Sequence, residues 1–345
     1  MCCGSGGVGK TTTAAALALE AASQGRRAVV VTIDPAKRLA DTLGLSSLTD
    51  TARRIEGAWP GELWALMLDT KSTFDALVAK HAADAAQAQR IYRNRFYRNI
   101  SSALSGTQEY MASEKLYELH EEGAFDLVVV DTPPTYHALD FLDASRRLAN
   151  LLDHRLYRLL VAPTRAYLRA VHLAAQAFVR TVTTVVGAEV LDDALAFFAA
   201  FEGMEQGFRD RSARVQTLLG DEGTAFVLVA SPGADTVAEA TFFAGKLGQS
   251  GIAVAALVAN RLHPRFGPGS ADDDRRRAAA LAGTALGALY AGRADLRCLA
   301  DGEESHLAEL AARVGPAPVT RVPILDHDVH DLEGLAEISR HLFAG

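Results

Sequence analysis

Five near-continuous apolar runs punctuate the chain, at residues 28–33 (AVVVTI), 63–68 (LWALML), 127–130 (LVVV), 225–230 (AFVLVA) and 252–258 (IAVAALV), with a weaker one at 319–325. They do not show the strict apolar and polar alternation of a sheet that faces water on one side. Such runs mark strands covered on both faces. Helical stretches separate them, so the pattern predicts an α/β fold, a mostly parallel sheet covered by helices. Two long tracts, about 72–123 and 143–220, lack strand character and carry helical periodicity. We read them as insertions that build a helical subdomain within one domain spanning residues 1–345.

Ahead of the first run stands GSGGVGKTT, residues 4–12, followed by the Ala-rich helical stretch TTTAAALALEAASQG. It fits G-x-x-x-x-G-K-[ST], a loop whose backbone N–H groups close around phosphates at the positive end of the next helix. Lys10 is expected to reach the β- and γ-phosphates, and the Thr11 hydroxyl to ligate Mg²⁺. The context of loop, helix and strand supports a P-loop nucleotide-binding fold. Only Met1, Cys2 and Cys3 precede the loop, short of the roughly five residues of an ordinary strand. Two readings follow: an N-terminally clipped chain, which we favour, or a sheet lacking most of its first strand.

Two carboxylates close strand-like runs. Asp34, in TIDPAKRLAD, lies at the ligand-binding C-terminal edge expected of a parallel strand. It can orient or deprotonate an attacking water, or it can serve as an N-cap before Pro35. Asp131, in VVVDTPPTYHALDFLD, suits an outer-shell Mg²⁺ ligand of the Walker B kind, or a buried capped aspartate. Thr135 and His137 are expected on the loop beyond it, with no chemistry assigned to His137.

Taken in order, GSGGVGKTT, TIDPAKRLAD, VVVDTPPTYHALDFL, VANRLHP and VPILDHDVHDLEGL resemble the ArsA-type ATPases. These comprise anion-pump and tail-anchored-protein-targeting enzymes of the deviant Walker A, MinD-like branch. The resemblance implies that Gly6, Gly7, Val8, Gly9, Lys10, Thr11 and Thr12 cradle ATP and Mg²⁺. It places Asp34 on switch I as the activator of water and Asp131 at the start of switch II. It also implies that Asn260 reads the adenine edge and that residues 323–325, beginning at Pro323, pack near the base. An Asn at a strand end can donate and accept at once, which suits adenine, although a capping role remains the alternative. The family works as dimers, in which a lysine at the second loop position reaches the partner's phosphates. Here that position is Ser5. Such cations are worth about 10³ or more in rate, so a heterodimer with a lysine-bearing relative is expected to be the working form, with a homodimer as alternative. The pump's cysteine triad and the targeting enzymes' zinc-binding C-x-x-C have no counterpart, so no zinc is expected.

Composition narrows the classes further. The net charge of −7 argues against a dedicated nucleic-acid binder. No uninterrupted apolar run is long enough for a bilayer and no charged leader precedes one, so a cytoplasmic location is expected, with a membrane-protein partner in keeping with the family. Phe197, Phe198, Phe201, Met204 and Phe208 form an apolar stripe at helical spacing. Core packing is the favoured reading, and a groove for a hydrophobic client the alternative. Arg90, Arg93, Arg95 and Arg98 read as a solvated helix face. The run GPGSADDDRRR at 267–277 reads as a loop and a solvated helix start, and Glu109 and Glu114 as a link from the helical tract to switch II.

Overall fold

A computed structural model describes residues 1–34, 38–98, 107–133 and 199–344, together with Glu189, Asp193, Ala196 and Phe197. Thr135, His137 and Phe198 lie outside the described residues. The chain divides into two compact units. One comprises Met1–Met67, Leu119–Leu139 and Glu222–Gly345, and the other Leu68–Glu118 and Asp140–Asp221.

The first unit holds an eight-stranded sheet. Its strands are β1 (Cys2–Gly4), β2 (Arg27–Thr32), β3 (Arg53–Ile55), β4 (Glu62–Met67), β5 (Leu127–Asp131), β6 (Phe226–Ala230), β7 (Val254–Leu262) and β8 (Val319–Pro323). Their order across the sheet is β3-β4-β2-β5-β1-β6-β7-β8. Every pairing is parallel except β3 with β4. The sheet is the mostly parallel one that the apolar runs predict. Three residues do form a strand at its centre, because β1 is paired on both sides: Cys2 with Asp131, and Cys2 to Gly4 with Val227 to Val229. The Val227 N–H donates to the Met1 carbonyl at 2.9 Å, in register with the pairing of β1 and β6.

Helix α1 (Lys10–Ser23) follows the glycine-rich loop. Alanine has the highest helix propensity and the smallest side chain after glycine, so this helix lies close on the sheet. Ala14, Ala15, Ala18 and Ala22 are fully buried against Val30, Val129, Val229 and Val258, and Leu335 and Ile338 of the last helix (Leu332–Phe343) join the same core. On the opposite face Val29, Val31 and Leu66 pack with Leu119. Gly25, with φ 86°, stops α1, and its N–H donates to the Ala22 carbonyl.

The acidic run at 272–274 departs from the solvated reading. Asp274 is fully buried, at 0% exposure, because Arg293 and Arg297 both reach its carboxylate. Arg293 holds that carboxyl below the ordinary range. Arg297, itself 2% exposed, also donates to the carbonyls of residues 265–268 and 270, tying down the loop that leaves β7.

In the second unit the described members of the aromatic stripe are core. Phe197, Phe201, Met204 and Phe208 are each at most 6% exposed, and Phe197 stacks on Tyr97 at 6.1 Å between centroids. Glu114 pairs with Arg211 at 2.6 Å, both buried, and Arg211 lies over the Tyr117 ring.

Candidate nucleotide site

The loop between β1 and α1 opens to solvent at Gly6 and Gly7, while Ser5 and Val8 are buried. Gly7 and Gly9 have φ of 76° and 94°, left-handed values that cost a side-chain-bearing residue. Gly4 has a second constraint, since a Cβ there would stand 2.1 Å from the Val229 carbonyl oxygen. Gly9 caps α1, and the Thr13 N–H donates to its carbonyl at 2.9 Å. Within the loop, Lys10 Nζ donates to the Ser5 carbonyl at 2.7 Å. Burial lowers the Lys10 pKa, against the pull of the Asp131 carboxylate. The Ser5 hydroxyl donates to the Thr236 carbonyl at 3.3 Å.

Parallel pairing sets Asp131 at the end of β5 beside Thr32 at the end of β2. The Thr11 hydroxyl, from the first turn of α1, donates to Asp131 Oδ2 at 2.7 Å, and the Thr32 hydroxyl to the same oxygen at 3.0 Å. Asp131 Oδ1 is buried with no hydrogen-bond partner among the described residues. Burial pushes the Asp131 carboxyl up to about 6, with the two threonines and Lys10 pulling the other way. Asp34 stands two residues past β2, half-buried, and its charge bears on both Lys10 and Asp131. Thr12 follows Thr11 in the first turn of α1, half-buried.

These groups fit a magnesium ion. A hard cation takes oxygen donors, and here the Thr11 hydroxyl is bonded to a carboxylate whose other oxygen has no partner among the described residues. Thr11 can keep its proton on Asp131 while its lone pair faces the metal. No cluster of three or more His, Cys, Asp or Glu side chains suited to a metal ion occurs among the described residues.

Asn260 and Pro323 stand at the C-terminal ends of the paired strands β7 and β8. Asn260 faces the loop: its Nδ2 donates to the Val8 carbonyl at 2.8 Å. Pro323 lines a cavity of about 420 Å³ with Leu262, His263 and Arg321. Two residues at the site escaped sequence reasoning. Thr32 is signalled only as the polar member of an apolar strand. Arg261 donates to the Gly7 carbonyl at 2.9 Å, and its only signal is its place directly after Asn260.

The chain matches the family model described as anion-transporting ATPase over residues 1–272. It is 33% identical to an uncharacterized protein of Streptomyces coelicolor over 269 residues, 77% of this chain and 62% of that protein. It is 30% identical to ATPase get3 of Aspergillus terreus over 142 residues and 30% identical to ATPase GET3 of Chaetomium globosum over 139 residues, 40% of the length of each. The chain thus spans less than two thirds of the length of these relatives.

Proposed function

The chain belongs to the ArsA-type family of anion-transporting ATPases, and on that premise we propose that it binds ATP with Mg²⁺ and hydrolyses it as a dimeric nucleotide switch. The observation that carries this reading is the convergence on Asp131 of the Thr11 hydroxyl, the Thr32 hydroxyl and the charge of Lys10, with one carboxylate oxygen left unpartnered. Mg²⁺, when bound, supplies charge neutralisation at the β- and γ-phosphates. Gly6 to Thr12 enclose the phosphates, and Lys10 exchanges the Ser5 carbonyl for a phosphate oxygen. Asp34 orients the attacking water, and Asp131 holds the Thr11 hydroxyl in place. Asn260 meets the adenine edge, with residues 323–325 beside the base.

The switch output is delivered through the segments at about 72–123 and 143–220, the second of which lies largely outside the described residues, to a protein or membrane-system partner that handles anions or small solutes. No described helix is long and apolar enough to cross a membrane. The protein acts in the cytoplasm, in part at the membrane surface. Ser5 offers no cation to a partner's phosphates, so the favoured assembly pairs this chain with a lysine-bearing relative. The same serine favours a second reading, a module that holds ATP without rapid turnover.

Equilibrium binding tests the shared core of both readings. ATP affinity is expected to require Mg²⁺ and to fall at least tenfold in Lys10→Ala and in Thr11→Ala, each of which removes a charge-assisted or metal contact. Equal affinity in the unaltered protein and in both variants contradicts the site.

A further inference from the structure

We propose that Asn260 and Arg261 form a carbonyl clamp that aims two phosphate-binding N–H groups of the loop, a role that rests on the nucleotide-site reading above. Two successive loop carbonyls are held from β7: Val8 O by Asn260 Nδ2 at 2.8 Å and Gly7 O by Arg261 Nη1 at 2.9 Å. These peptide bonds are trans. In a trans peptide the N–H of the following residue points opposite to the carbonyl. Holding the Gly7 and Val8 carbonyls toward β7 therefore turns the N–H groups of Val8 and Gly9 to the other side of the loop. They form an adjacent donor pair of the kind that cradles an anion.

The backbone of β7 is bent to make this possible. Successive side chains of a regular strand point to opposite faces, so consecutive residues cannot ordinarily reach the same loop. Arg261 has φ 65°, one of two non-glycine residues with positive φ among the described residues, and the pairing of β7 with β8 slips between Asn260 and Leu262. That kink brings both side chains to the same two peptide groups. Strain of this type persists where its surroundings impose it, often at functional sites. Gly9 completes the fit, because a Cβ at that position would stand 2.3 Å from Asn260 Nδ2. Asn260 is 8% exposed, so its amide is a built part of the loop's floor.

The clamp acts on phosphate rather than on the base, and titration calorimetry of the full chain with Mg²⁺ and inorganic tripolyphosphate isolates that effect. Arg261→Gly accepts the left-handed backbone and keeps the fold, which a thermal melt checks. It is expected to weaken tripolyphosphate about tenfold, the scale of one lost charge-assisted hydrogen bond. Arg261→Lys recovers part of that loss. Asn260→Asp sets a carboxylate against the Val8 carbonyl and is expected to lose at least as much, whereas an Asn260 serving only the base leaves tripolyphosphate binding unchanged. The Arg261→Gly loss should persist at 1 M salt, where the screening length is about 3 Å. Tight binding that survives Arg261→Gly, or a loss that vanishes at high salt, overturns the clamp alone. Failure of the unaltered protein to bind tripolyphosphate overturns the clamp together with the phosphate-loop reading.

Discussion

Thr11 and Asp131, 120 positions apart in the sequence, meet through a 2.7 Å hydrogen bond from the threonine hydroxyl to the carboxylate Oδ2. The bond joins the first turn of α1 to the end of β5, and Oδ1 is buried without a partner among the described residues. Without a cation this is a costly arrangement, since a buried carboxylate oxygen lacking a donor forfeits its hydration.

That cost is measurable as a pH dependence. Burial raises the Asp131 carboxyl from its ordinary 3.8 to about 6. A group whose pKa is higher folded than unfolded binds more protons when folded, so its stabilisation is full below 3.8 and is lost as pH rises through about 6. The loss amounts to about 3 kcal/mol. Asp131→Asn has no such proton to release. In the metal-free protein it is expected to be more stable than wild type at pH 7.5 by up to that amount, and to lose this pH 4–6 dependence while also losing Mg²⁺-dependent ATP binding. Urea unfolding in chelator at pH 5 and 7.5 checks it, and a variant less stable than wild type at pH 7.5 contradicts the account.

Glycines of the loop should divide by what surrounds them. Gly4→Ala places a Cβ 2.1 Å from the Val229 carbonyl oxygen, a backbone atom that cannot swing aside, and adds the penalty of φ 153°. The expected loss is about 3 kcal/mol or more, with β1 displaced. Gly7→Ala meets no atom within 4 Å. It carries only the left-handed penalty of about 1–2 kcal/mol. Equal destabilisation of the two variants in denaturant melts is the result that does not fit.

Thiol reactivity probes the short central strand. Burial pushes the Cys2 thiol up to about 12 and also raises Cys3, whereas Cys298 is exposed. Since the thiolate is the reacting species, a disulfide reagent at pH 8 is expected to label Cys298 alone in the folded protein and all three cysteines in denaturant. Rapid labelling of Cys2 or Cys3 in the native state means that β1 is not held between β5 and β6.

The parallel sheet was legible because strands buried on both faces must be apolar throughout, and runs such as AVVVTI and LVVV have no other simple reading. Strand β3 was not, because Arg53 and Arg54 are exposed and only Ile55 is buried, which leaves no periodicity to read. The extension of β7 to Leu262, four residues past its apolar run, follows from its pairing with β8 and from the kink at Arg261. Composition carries no trace of that kink. The solvated reading of the 272–274 acidic run failed at Asp274 because its partners, Arg293 and Arg297, arrive from a helix some twenty positions downstream. At the site, the motif marked Lys10 and Thr11, whereas the links from Asn260 and Arg261 to the loop span more than 250 positions and depend on one left-handed residue.

The most direct measurement is phosphate release from ATP with Mg²⁺, by this protein alone and titrated with a relative that carries the loop lysine, with Asp34→Asn as control. Slow turnover alone, stimulation by the relative, and loss of that stimulation in Asp34→Asn are expected. Fast turnover by the protein alone that rises with its own concentration contradicts the need for a lysine-bearing partner, and stimulation unchanged in Asp34→Asn contradicts the catalytic role given to Asp34.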